Sequence, residues 1–170
     1  MNAVRIHDHG GTNVLKWEKI PKPKLSSGQV RVDIKATSLN HLDIWVRKGI
    51  PGVPLPLIPG SDAAGIISEM GDNIEILSLG EKVLIQPLIY CGKCKFCKID
   101  KENFCDSLGI MGENSQGVNA EQIVVNINQI VPFPDHLSFE EAASFALVAQ
   151  TSYQMLVSRA NLQAGEFVLI

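Results

Sequence analysis

A chain of 170 residues, 45% of them hydrophobic, is long enough for one domain with a real core and too apolar to be disordered. Its net charge of -3 argues against a nucleic-acid or anionic-membrane surface as the main partner. The first residues carry no apolar run of the signal-peptide kind, and no stretch reaches the length that spans a bilayer, so a cytoplasmic protein is expected.

The first half reads as β. Ala3 to Ile6 and Val14 to Glu18 are short candidate strands. Gln29 to Leu39 alternates cleanly, with Val30, Val32, Ile34 and Ala36 on one face and Arg31, Asp33, Lys35 and Thr37 on the other. Asn40 to Lys48 predicts a short helix ended by Gly49. The proline-rich stretch from Ile50 to Pro59 can be neither helix nor central strand and reads as a rigid loop. Ala64 to Met70 is a further strand, closed by a turn at Gly71, Asp72 and Asn73. Lys82 to Gln86 and Glu121 to Val125 complete a set of short strands whose spacing suggests a closed or nearly closed β-barrel. Trp17 and Trp45 are expected as core or pocket walls.

All four cysteines lie in one segment as C-x2-C-x2-C-x7-C: Cys91, Cys94, Cys97 and Cys105. A structural zinc takes four tetrahedral thiolates or imidazoles and leaves no open position, and this spacing suits it. Gly92 eases the first turn, and Lys93, Lys95, Lys98 and Lys101 offset thiolate charge. Iron also accepts four thiolates, and free or redox thiols remain the competing reading. Disulfides are disfavoured by the expected compartment. The predicted lobe, 91–105, does no chemistry.

Ser138 with Glu141 three residues later is a capping box, opening a helix that runs through Val157. Arg159 to Gly165 is a polar link. Phe167 to Ile170 is a continuous apolar run that reads as a buried parallel strand.

The order of barrel, cysteine lobe, capped helix and apolar strand resembles the N-terminal, GroES-like catalytic domain of medium-chain zinc alcohol dehydrogenases and their quinone oxidoreductase relatives. The motifs that carry the resemblance are Asn40 to Asp43, Pro59 to Gly65, Gly71 to Asn73, Gly80 to Val83, the cysteine lobe, and Thr151 to Tyr153. It implies a mainly β fold with some helix, a partly open barrel over residues 1–137. Residues 138–170 would then be a linking helix and the first strand of a truncated Rossmann nucleotide-binding domain. The glycine-rich turn that should follow such a strand is not in this sequence. The implied parent is an oxidoreductase using NADPH or NADH, acting on a small-molecule substrate, with no nucleic-acid or membrane partner, and a homo-oligomer when full length. This half alone is expected to be inactive.

The resemblance also exposes a departure. Where the family places three ligands of a second, catalytic zinc, this sequence has Asn40, Ser61 and, less securely aligned, Leu147. A catalytic zinc needs three protein ligands, so that ion is expected to be missing. Alcohol oxidation relies on zinc to acidify the bound oxygen, whereas hydride delivery to an enone, quinone or enoyl thioester needs only hydrogen-bond donors for the developing oxyanion. In that reading Asn40 offers its amide to substrate or cofactor and Ser61 donates to a carbonyl oxygen. The bland alternatives are that Asn40 caps a helix, Ser61 satisfies a tight turn, and Asp62 pairs with a buried lysine or arginine. His41 is a weak candidate metal ligand with Asp62. A zinc alcohol dehydrogenase with unusual ligands, a non-enzymatic GroES-like binding module, and a zinc-ribbon nucleic-acid binder are the competing functions. The last is disfavoured by charge and by the lack of interleaved aromatics and arginines.

Overall fold

The structure is a computed structural model, and it describes residues 1–169. Nine strands and three α-helices follow one another along the described chain. Strands β1 (Asn2–Arg5) and β2 (Lys16–Lys19) form an antiparallel hairpin. β3 (Gln29–Ser38) leads into α1 (His41–Lys48). The proline loop returns the chain to β4 (Asp62–Met70), then β5 (Lys82–Ile85). The short pair β6 (Leu88–Ile89) and β7 (Gly109–Ile110) forms the neck of the cysteine lobe. β8 (Gln122–Asn126) and β9 (Ile130–Pro132) complete the strands, and α2 (Phe139–Ala143) and α3 (Ala146–Tyr153) follow.

Five strands make one antiparallel sheet in the order β8-β3-β4-β5-β9. It curls into a half-barrel. Two register irregularities in the β3–β4 pairing, at Arg31/Val32 and Ile34/Ala36, supply the bend, since an extra residue on one strand tightens its local twist. The concave face buries Val30, Val32, Ile67, Val83, Ile85, Ile123 and Val125. From Val30 to Ile34 the alternation along β3 is therefore the barrel's inside and outside, whereas Ala36, past the second irregularity, packs instead with Ala64, Leu84 and Ala142. Arg31 departs from it: it is buried, bonding the Glu69 carboxylate at 2.8 Å and the Pro23 carbonyl at 2.9 Å. At Gly65 an added Cβ would run into the Asp33 carbonyl oxygen, so β3 and β4 approach each other at a place only glycine allows.

Three expectations differ from the structure. The helix predicted from Glu140 to Val157 is broken at Ser144 and Phe145, and residues Gln154–Arg159 unwind into a π-helical turn. The break has a local cause: the Ser144 hydroxyl bonds back to the Glu141 carbonyl at 2.8 Å, and the Phe145 N–H reaches three residues back to Ala142 rather than four. Residues 167–169 form no strand, and Phe167 and Leu169 are fully exposed. No neighbouring strand among the described residues lies there to pair with them. A buried parallel strand exists only between such neighbours. Ile170 lies outside the described residues. The two tryptophans are also misplaced by the sequence reading, since both are more than half exposed and Trp45 stacks on exposed His41 with ring centroids 4.7 Å apart. Among the described residues no helix is long and apolar enough to cross a membrane.

Candidate functional site

The cysteine lobe comes together as a ligand set. The Sγ atoms of Cys91, Cys94, Cys97 and Cys105 all lie within 4.8 Å of one another. The Cys94–Cys97 and Cys91–Cys97 sulfurs are 3.5 and 3.9 Å apart. A tetrahedron of thiolates with zinc–sulfur bonds of about 2.3 Å has edges of about 3.8 Å, so one ion would sit between them with little adjustment. The turns that bring the sulfurs together also aim backbone amides at them. The N–H of Cys91 and of Ser107 point to Cys105 Sγ at 3.3 and 3.4 Å, and the N–H of Cys94 to Cys91 Sγ at 3.3 Å. Such donors favour the charged sulfur. Amide donation from Cys97 and Asp106 lowers the Cys94 thiol to about 6, while burial, with neighbouring thiols, raises Cys97 to about 12. The four form no disulfide.

The second cluster gathers around Asp62, the first residue of β4, which is 0% exposed. Its Oδ2 accepts the Asn40 carboxamide N–H at 2.9 Å and the Ser38 hydroxyl at 3.2 Å. Its Oδ1 accepts the Leu147 backbone N–H at 3.0 Å. The break in the linking helix makes that last bond possible. It turns Leu147 into a first-turn residue of α3, whose N–H lacks a partner within the helix. The barrel strands β3 and β4, the start of α1 and the start of α3 are thus tied at one buried carboxylate. No lysine or arginine joins them, so the expected cationic partner of Asp62 is replaced by three neutral donors.

Asn40 and Asp43 also make a capping box at α1, with the Asp43 carboxylate taking the Asn40 N–H at 2.7 Å. Burial raises the Asp43 carboxyl above its ordinary value, opposed by the N–H groups of Asn40 and Gly60 and reinforced by the Asp62 charge. Ser61 is 1% exposed, and its hydroxyl donates to the Met111 carbonyl at 2.9 Å. That places it under the loop between β7 and β8. This loop presses so closely that a Cβ at Gly112 or Gly117 would collide with Gly60. Among the described residues the four cysteines are the only group of three or more histidine, cysteine, aspartate or glutamate side chains that could hold a metal. His41 and Asp62 do not form a second one.

A cavity of about 760 Å³ opens between the lobe and the linking helix, lined in part by Tyr90 and Glu102 of the lobe and by Leu147, Gln150, Thr151 and Gln154 of the helix. Leu147 is the one residue of the three substituted positions on its wall. The sequence reading missed the cavity's polar residues, because nothing in their spacing signals that two segments fifty residues apart will face each other. It missed the Leu147 N–H for a firmer reason: a backbone donor leaves no mark in a sequence.

Alcohol dehydrogenase GroES-like domains match residues 26–135, more than half of the chain. An alcohol dehydrogenase of Geobacillus stearothermophilus is 37% identical over 92% of this chain and 47% of its own length. An NAD-dependent alcohol dehydrogenase of Sulfolobus acidocaldarius is 32% identical over 100% of this chain and 51% of its own. A crystal structure of an NAD-dependent alcohol dehydrogenase superposes with a TM-score of 0.94 at 39% identity, over 98% of this chain and 49% of that one. A cobalt- and zinc-bound thermostable alcohol dehydrogenase from Pyrobaculum aerophilum superposes with a TM-score of 0.87 at 31% identity, again over 98% and 49%. This chain therefore spans about half the length of the relatives it matches.

Proposed function

The chain belongs to the alcohol dehydrogenase GroES-like domain family, and from that premise we propose that it is the substrate-side half of an NAD(P)H-dependent oxidoreductase that reduces an enone, quinone or enoyl thioester without a catalytic zinc. Residues 1–137 are the catalytic domain and 138 onward the link to the nucleotide-binding half. The protein is cytoplasmic and assembles as a homo-oligomer when whole.

One observation carries the reading. Of the three positions that would ligate a catalytic zinc, Asn40 and Leu147 donate hydrogen bonds to Asp62, and Ser61 donates to Met111. None of the three side chains is a customary zinc ligand, and the groups these residues turn toward Asp62 and Met111 are N–H and O–H donors, which do not ligate a metal. The single zinc goes to Cys91, Cys94, Cys97 and Cys105, where the donor set and spacing fit it. There it closes the lobe and has no position left for substrate.

Without zinc at the reacting centre the chemistry must avoid deprotonating an unactivated alcohol. A carbon conjugated to a carbonyl meets that condition, because the charge that develops on its oxygen is stabilised by hydrogen-bond donors. Asn40 is the residue of this chain assigned to substrate or cofactor. One amide hydrogen is held by Asp62, which fixes the plane of the carboxamide and leaves its other hydrogen for a ligand. Ser61 is assigned the weaker part, since its hydroxyl must first leave the Met111 carbonyl. The nicotinamide, when bound, supplies the hydride. No residue of this chain is assigned to its phosphates, because the sequence contains no glycine-rich phosphate turn.

The test is metal content and turnover of the full-length protein. One zinc per chain, with reduction of a simple enone that survives mild chelation, is the expected result. Two zincs per chain, or chelator-sensitive turnover of primary alcohols with none of the enone, sinks it. A second reading, a zinc alcohol dehydrogenase with unusual ligands, is favoured by the relatives' names, and the same measurements choose between them.

A further inference from the structure

The cavity between the lobe and the linking helix carries an uneven set of charges. Its walls hold one carboxylate, Glu102, three aromatic rings, Tyr90, Phe145 and Tyr153, several amides, and no lysine, arginine or histidine. Arg159, the basic residue of the π-helical turn, packs over the Phe104 ring at 5.3 Å.

Resting on the reading of the chain as a substrate-side domain, we propose that this cavity receives the part of the substrate away from the reacting carbon and that Glu102 sets its charge preference: neutral and ammonium-bearing molecules enter, carboxylates and phosphates are rejected. Two physical terms point the same way. A half-buried carboxylate attracts a cation and repels an anion more strongly than it would in bulk water. Aromatic faces favour cations by their quadrupole and give an anion no compensating donor. Of the three substrate classes considered above, thioesters on a phosphate-bearing carrier are thereby excluded, and neutral enones and quinones are kept.

The lobe's part in this wall also gives its zinc a second consequence. Glu102 and Asn103 lie between Cys97 and Cys105, so an ion held by those two cysteines would also fix the wall between them.

The test is direct binding, followed by NMR on the zinc-loaded chain. The probes are cyclohex-2-enone and two derivatives of it, one carrying a trimethylammonium group and one a carboxylate. The amides of Tyr90, Glu102, Gln150 and Gln154 are expected to shift with the neutral and cationic probes, and the carboxylate is expected to bind at least about tenfold more weakly than the cation. Glu102→Gln, which keeps the shape of the side chain, should reduce that ratio about fivefold, and Glu102→Lys should invert it. Unchanged zinc content in each variant shows that the lobe still folds. Equal binding of anion and cation, a ratio untouched by Glu102→Gln, or no shift of these amides with any probe overturns the inference. None of those outcomes bears on zinc stoichiometry or on enone turnover, so the functional reading stands or falls separately.

Discussion

Replacing Asp62 by asparagine is the sharpest single test of the buried cluster. The carboxylate receives three donors while fully shielded from water: the Ser38 hydroxyl, the Asn40 amide and the Leu147 N–H. An asparagine can keep its oxygen toward Leu147, but its NH2 then faces the Asn40 NH2, donor against donor. Ser38 escapes by rotating its hydroxyl to accept. One charge-assisted bond becomes a neutral one, and one buried donor pair is stranded. At about 1 kcal/mol for the first and about 1–3 kcal/mol for the second, the loss should be about 2–4 kcal/mol. With a urea slope of about 2 kcal/mol/M for a chain of this size, the unfolding midpoint should fall by about 1–2 M with the slope unchanged. The assay is urea unfolding of the zinc-loaded chain at neutral pH, repeated for Asn40→Ala and for the double variant. A coupling energy between Asn40 and Asp62 of about 0.5–3 kcal/mol should appear in the cycle. A midpoint that barely moves, or a coupling indistinguishable from zero, would show that the carboxylate is not the tie described above.

Chelation should remove one zinc per chain and release hydrogen-exchange protection in residues 91–108 while β3 and β4 stay protected, because the barrel core draws nothing from the cysteines; coincident loss of both regions would contradict this. Cys97→Ser should reproduce that state without a chelator. Gly65→Ala forces a methyl against the Asp33 carbonyl oxygen, and should cost about 1–3 kcal/mol, lowering Tm by about 3–10 °C in a melting curve. Glu121 accepts the N–H and the side-chain amide of Asn2, both at 2.8 Å, and the first of these is the main cause that lowers its carboxyl below the ordinary 4.5. The unfolded group titrates near 4.5 and the folded one lower. The pinning of the first strand is therefore complete above 4.5 and lost as pH falls through the folded value. The Asn2 side-chain amide resonance should titrate with a midpoint below 4.5, and Glu121→Gln should abolish the titration; a midpoint at or above 4.5 refutes the assignment.

The sequence carried different parts of the structure with different force. β3 was legible because its alternation from Val30 to Ile34 is the inside and outside of the barrel, and the metal lobe because four cysteines at that spacing have few other uses. The cap at Ser138 was legible too, its hydroxyl accepting the Glu141 N–H at 3.1 Å. The break after α2 was not. Ala, Leu and Val around Ser144 all tolerate helix, and what interrupts it is one hydroxyl turning back on a carbonyl. The apolar run at 167–169 forms no strand among the described residues, because burial is a property of neighbours, and hydrophobicity alone supplies none. At the candidate site, Asn40, Ser61 and Asp62 were marked as polar residues in an unusual setting. Their partners were not foreseeable, since a leucine's backbone and a methionine's carbonyl answer to topology rather than to residue type.

The glycines at 60, 112 and 117 touch backbone to backbone, and that contact has a reach beyond its size. Ser61 finds the Met111 carbonyl because the strand-entry segment and the loop before β8 have no side chains between them. A methyl at Gly117, fifty-six positions downstream, would wedge the two apart and unlatch the Ser61 hydroxyl. A position remote in sequence and bare of any functional group therefore governs whether that hydroxyl is locked inward or released to face a ligand.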